Sequence, residues 1–201
     1  VHREAAFQRF FMTLMLFSGA MELIWLGGNA ALTFIGWELA GVSSYLLIAY
    51  NWSRPTATLN AQRAFITNRI GDAGFILALF AALYFLHGLD WDNMALQAQA
   101  NDITSLQLAL ITSGLVLAAF AKSAQLPFSS WITHALEGPT PSSAVFYGSV
   151  MVHAGVYLLL RAAPLLEMTQ ALSYVIGLVG ALTVLYAWLL SQVQTDIKSS
   201  L

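Results

Sequence analysis

Six stretches of this sequence each run for about twenty mostly apolar residues, and that feature limits the possible folds more than any other. They lie near 9–26, 30–50, 62–87, 104–137, 141–161 and 171–191. Backbone N–H and C=O groups inside hydrocarbon must find partners within the protein, so only α-helices or a closed β-barrel can cross a bilayer. Barrel strands alternate apolar and polar residues over about ten positions. These runs are apolar on every face and about twice that length, so the expected fold class is all-α, a polytopic bundle of about six transmembrane helices. Only 9% of the residues are charged, against about 25% in a soluble domain. "GGN", "NWSRP", an acidic stretch with Asp90, Asp92 and Asp102, and "EGPTP" punctuate the runs.

Composition also excludes several functions. A net charge of −2 gives no basic face for nucleic acid. With no cysteine, the chain can hold neither a disulfide nor a thiolate-bound iron–sulfur cluster, and its four histidines are too dispersed for a metal motif. "GGNAAL" lacks the glycine spacing of a dinucleotide loop and the lysine of a phosphate loop, and no nucleophile elbow is present. No cofactor is therefore expected in this chain. The basic residues of the short loops set the orientation. Alternating spans put Arg3, Arg9, Arg54, Arg63 and Lys198 on one side, read as cytoplasmic or its equivalent, and Arg161 on the other. The close on "TDIKSSL" reads as the opening of another helix, so a longer protein is expected.

Charges inside the spans point to function, because an ionised group at mid-bilayer costs roughly 2.5–3.5 kcal/mol and normally pairs or lines a wet path. Glu38, in "FIGWELAGVSSYLL", is about the ninth residue of the second span, with Tyr45 seven residues on along the same face. It reads as a functional carboxylate, the alternative being a neutral acid bonded to a neighbouring helix. Asn68, Arg69 and Asp72, in "ITNRIGDAG", are spaced to interact along one flank of the third span. They are placed close to the basic side, where a structural ion pair is equally acceptable. Lys122 sits in "LVLAAFAKSAQLPFSSW", five residues before Pro127. The run around it is too long for one straight span, and proline should break it nearby. A break frees backbone carbonyls, which favour a cation. Low dielectric disfavours an ammonium and a neighbouring carboxylate restores it, so a moving acid would switch the amine. The alternative is a lysine that snorkels to the interface.

His153, in "SVMVHAGVYLLLR", is a relay candidate or a hydrogen-bonded core residue, with Ser149 as a local partner. Glu137 precedes a glycine and two prolines and is read first as a brace for that turn. Glu22, His87 and His134 lie near span ends, and Trp25, Trp37, Trp52, Trp91 and Trp131 read mostly as interfacial anchors or ordinary packing. Carboxylate, amine and imidazole groups spread over several helices are what proton conduction needs.

Five ordered blocks, "FIGWELAGVSSYLLIAY", "AFITNRIGDAGF", "AKSAQLPFSSWITHALEGPTPSSA", "MVHAGVYLLLR" and "TDIKSSL", resemble the antiporter-like subunits of respiratory complex I. The resemblance is greatest to the distal, largest membrane subunit, and extends to multisubunit cation/proton antiporters. It implies about fourteen helices with two inverted five-helix repeats, each with one broken helix, of which residues 1–201 would supply the first repeat and the start of the second. It also implies roles. Glu38 and Lys122 would form a coupled pair whose separation gates proton movement, Asp72 would lie beside Arg69, and Lys198 would lead towards a second half-channel. Where the family usually reads "VSALIHAATMVTAGVYL", this chain has "SSAVFYGSVMVHAGVYL". Tyr147 replaces the usual relay histidine and His153 stands where threonine is common, so the relay would run through water or through His153. The implied function is proton translocation by a redox-driven NADH:quinone oxidoreductase-type complex, this chain carrying no redox centre. The alternative is a subunit of a cation/proton antiporter or of an ion-coupled inorganic-carbon transporter. The implied partners are other membrane subunits, lipid, and protons or sodium, in a bacterial cytoplasmic or organellar inner membrane.

Overall fold

The computed structural model describes residues 6–145 and 150–194. Among them there is no strand beyond an isolated bridge between Asn29 and Asp90, and the elements are helices. Five are long and apolar enough to span a bilayer: α1 (Phe7–Leu26), α2 (Ala30–Ile48), α3 (Pro55–Leu86), α5 (Ser105–Lys122) and α10 (Gln170–Ser191). Shorter helices are α4 (Trp91–Ala100), α6 (Ser130–His134), α7 (Thr140–Ser143), α8 (Met151–Arg161) and α9 (Ala163–Glu167). The expected fifth span, 141–161, corresponds to α7 and α8, with 146–149 outside the described residues. The acidic stretch, expected as loop, contains α4.

Local chemistry explains the boundaries. Asn29 caps α2 by accepting from the Leu32 N–H at 2.8 Å. Pro55 takes the first position of α3, where its missing N–H costs nothing, and the 32-residue helix runs on to Leu86. Thr104 and Gln107 form a reciprocal capping box at the start of α5.

The α5 helix stops five residues before Pro127, at Lys122. Ala124 adopts a left-handed φ of 53°, its N–H donates to the Ala121 carbonyl at 3.3 Å, and the Gln125 N–H donates to the Phe120 carbonyl at 2.9 Å. That is a Schellman closure with alanine where glycine is usual. Left-handed backbone costs a residue with a Cβ about 1–2 kcal/mol. Ala124→Gly is therefore expected to stabilise the protein by about 1 kcal/mol, read as a raised midpoint of thermal unfolding in detergent.

Lipid tails are as apolar as the side chains, so hydrophobic burial does not drive helices together in a bilayer; close packing must hold them, and small residues permit it. The most extensive interface, α3 against α5, is built this way. A Cβ added at Gly74 would lie 2.9 Å from the Gly114 carbonyl oxygen, and one added at Gly114 would lie 3.0 Å from the Ala78 Cβ. Gly114→Val is expected to cost about 1–3 kcal/mol through overpacking, measured by the same unfolding assay.

The two ends of the bundle separate as the basic residues predict. At one end Arg9 donates to the Tyr50 carbonyl at 2.5 Å and Arg54 lies 3.4 Å from Glu137. At the other, Arg161 donates to the Gly27 carbonyl at 3.0 Å. Helix α10 buries none of its residues in the described structure, and is tied to the break by the Leu126 N–H donating to Thr183 Oγ1 at 3.1 Å.

Candidate functional site

Between α2, α3 and the end of α5 the chain encloses two acids and two bases, an arrangement of zero formal charge when all four are ionised. Asp72 is the eighteenth residue of the 32-residue α3 and is 2% exposed. It lies near the middle of that helix. Arg69, one turn earlier, bridges both acids. Its Nη2 lies 2.8 Å from Asp72 Oδ2 and its Nη1 contacts Glu38 Oε2 across the α2–α3 interface. The guanidinium also stacks over the Phe65 ring, 4.7 Å from its centroid. Asn68 does not bond Asp72; its Nδ2 donates to the Ala64 carbonyl at 2.8 Å.

Lys122 is 1% exposed, so it does not snorkel. Its Nζ donates to the Trp37 carbonyl at 3.2 Å and lies 5.0 Å from the centroid of the Trp37 ring. Among the described residues no carboxylate comes within 4.0 Å of that amine. Glu38 does not contact the amine directly; it is in contact with Arg69 from α3. Both cations can approach α2 because Gly41 has no side chain. A Cβ there would lie 3.0 Å from Arg69 Nη2 and 3.6 Å from Lys122 Nζ.

Trp37 completes the cluster. It is fully buried, and its indole N–H donates to Asp72 Oδ1 at 2.7 Å. The sequence places it among anchors and packing residues, and the structure corrects that. The available signal was its position, since a tryptophan at mid-span must find an acceptor for its N–H. Trp91 and Trp131 are likewise buried, donating to Thr33 Oγ1 at 3.0 Å and to the Ala121 carbonyl at 2.9 Å. Trp25 and Trp52 are exposed, as anchors should be.

Glu38 Oε1 and Asn68 Oδ1 are buried and have no hydrogen-bond donor among the described residues. Acceptors of that kind can be served by water entering a polar path.

The transmembrane family model of the NADH:quinone oxidoreductase/Mrp antiporters matches residues 27–201. The chain belongs to that family. It is 40% identical over 191 residues to NADH-ubiquinone oxidoreductase chain 5 of Allomyces macrogynus, covering 95% of this chain and 30% of that protein. It is 37% identical over 194 residues to NADH-quinone oxidoreductase subunit L of Mycobacterium tuberculosis, covering 96% and 30%. Among solved structures, the Mrp complex of a Dietzia species superposes with a TM-score of 0.87 at 25% identity, covering 94% of this chain and 20% of that one. The chain thus spans about a third of the length of the two oxidoreductase relatives, and it is a multi-pass integral membrane protein.

The remaining family positions fall outside this cluster. Glu137 pairs with Arg54 at one end of the bundle, which fits a brace for the turn. His153 faces outward from α8 and has no hydrogen bond to a described residue. Its neighbours Met151, Ala154, Gly155 and Leu158 take the buried side of that helix. Tyr147 and Lys198 lie outside the described residues, as does Ser149. Tyr45 shares the side of α2 that carries Glu38, its ring 5.5 Å from that of Phe65.

Proposed function

We propose that this chain is a proton-conducting membrane subunit of a redox-driven NADH:quinone oxidoreductase-type complex, in which electrons pass through other subunits. The observation that carries the reading is Lys122, a lysine buried at the end of α5 where the helix breaks, with its amine held by an uncharged carbonyl and ring. An amine so placed can gain or lose its proton as nearby charges move. In the geometry on hand, Arg69 holds both carboxylates away from direct contact with the amine. If Arg69 releases Glu38 or Asp72 towards Lys122, the ammonium is favoured; if the acids return to Arg69, the amine is left in low dielectric and gives up its proton. Alternation between the two arrangements, biased by chemistry elsewhere in the complex, would move a proton across the middle of the membrane. Other membrane subunits of such a complex are the proposed partners.

A second reading, a subunit of a cation/proton antiporter, is favoured by the structural likeness to an Mrp complex. The whole complex in sealed vesicles separates the two. With NADH and a soluble quinone supplied, internal acidification that persists without sodium and collapses with a protonophore supports the redox pump. Proton movement that requires a sodium gradient and ignores NADH overturns it in favour of exchange.

A further inference from the structure

Trp37 touches both Asp72, whose charged partner is Arg69, and Lys122, which has no carboxylate within 4.0 Å among the described residues, and it does so with different parts of one residue. Its N–H meets Asp72, its carbonyl meets Lys122, and its ring lies beside the ammonium. The indole is fixed from the far side by Phe75, edge-on at 5.5 Å and 89°, and Phe75 is packed in turn against Phe34 at 5.3 Å. The tryptophan is completely buried, so it cannot exchange these contacts for lipid or bulk water.

We infer that Trp37 is a positioning residue that couples Asp72 to Lys122, holding the indole so that the state of the acid sets the seat of the amine. The inference rests on the proton-conducting reading above. Indole does not titrate, so its N–H stays a donor and its ring an electron-rich face at any working pH. A carboxylate holds the N–H by a charge-assisted bond, whereas a protonated acid accepts more weakly. A weakened bond frees the ring to turn about its side-chain torsions, and a turned ring no longer faces the amine. The two ionisable groups thus communicate through one neutral side chain. Of the charged groups nearby, Glu38 follows Trp37 on α2 and Asp72 on α3 accepts its N–H, while Arg69 on α3 contacts both acids.

The test uses the whole complex in sealed vesicles, with protons moved per NADH oxidised measured over a range of pH. Trp37→Phe keeps a ring beside the amine and removes the N–H; Trp37→Leu removes both. The expected result is a loss of protons per NADH for Trp37→Leu that approaches, and does not exceed, the loss for Lys122→Met. Trp37→Phe should fall by less and show a displaced pH profile. In an Asp72→Asn background, Trp37→Phe should add little, because both changes break one link. Native electrophoresis reports assembly, and if Trp37→Leu does not assemble, Trp37→Phe decides alone. Protons per NADH and pH profile equal to the parent in the assembled Trp37→Phe complex would overturn the inference. Lys122→Met in the same assay keeps the two ideas apart. Loss of pumping there, with Trp37→Phe unaffected, sinks the coupling role alone; normal pumping there sinks the proton-conducting reading itself.

Discussion

Lys122→Met is expected to abolish proton movement through this subunit while leaving the complex assembled and able to oxidise NADH. Methionine matches the length of the lysine stem and is apolar, and the site is closed on all sides, with Lys122 only 1% exposed. Removing a buried charge with a well-packed apolar side chain is often neutral or stabilising. Asp72 keeps Arg69 at 2.8 Å and the Trp37 N–H at 2.7 Å, so the substitution strands no acid. What disappears is the one group at the helix break that can carry a proton. The measurement is paired: NADH:quinone turnover and protons per NADH on one preparation. Turnover retained with a reduced proton yield is the expected outcome, and an unaltered yield would refute the assignment.

Arg69→Leu should have the largest effect on stability. The guanidinium contacts two carboxylates on two helices, and removing it leaves both without a cation in contact. Taking one partner from a buried ion pair typically costs about 3–5 kcal/mol. The lower end applies here, because the Arg69 and Glu38 side chains are 33% and 26% exposed. A loss of about 3 kcal/mol should lower the unfolding midpoint in detergent by several degrees and reduce assembled complex. Arg69→Lys should recover only part of it, since one ammonium cannot span both acids as a guanidinium fork does. Equal stability of the leucine variant and the parent would mean that the acids are already neutral.

Spans, helix break and the separation of basic residues to the two ends were legible in the sequence because each depends on local rules. An apolar run of bilayer length, a proline within it and an excess of arginine in alternate loops do not require knowledge of neighbouring helices. The Arg69–Asp72 pair was legible for the same reason, since i and i+3 meet on any helix. The contacts that define the site join residues 31 and 35 apart, Arg69 to Glu38 and Trp37 to Asp72. They depend on how α2 is rotated against α3. Helices that are apolar on every side give hydropathy no means of setting that rotation. The same blindness explains His153, whose outward direction on α8 follows from Met151, Ala154, Gly155 and Leu158 taking the inner side. The close helix approach that seats both cations was hidden in Gly41, where the informative fact is a missing Cβ.

The way α5 ends also bears on which ion the subunit is suited to handle. Unwound segments in ion-coupled transporters expose bare carbonyl oxygens that can replace the hydration shell of a metal cation. Here the last turn has already been supplied with donors. The Ala119 oxygen accepts from the Ser123 backbone and hydroxyl, Phe120 from Gln125, and Ala121 from both Ala124 and Trp131. An alkali ion seeking a cage at this point would compete with five resident hydrogens. Under the proton-conducting reading proposed above, a particle that travels along hydrogen bonds would meet no such competition at Ala119, Phe120 and Ala121.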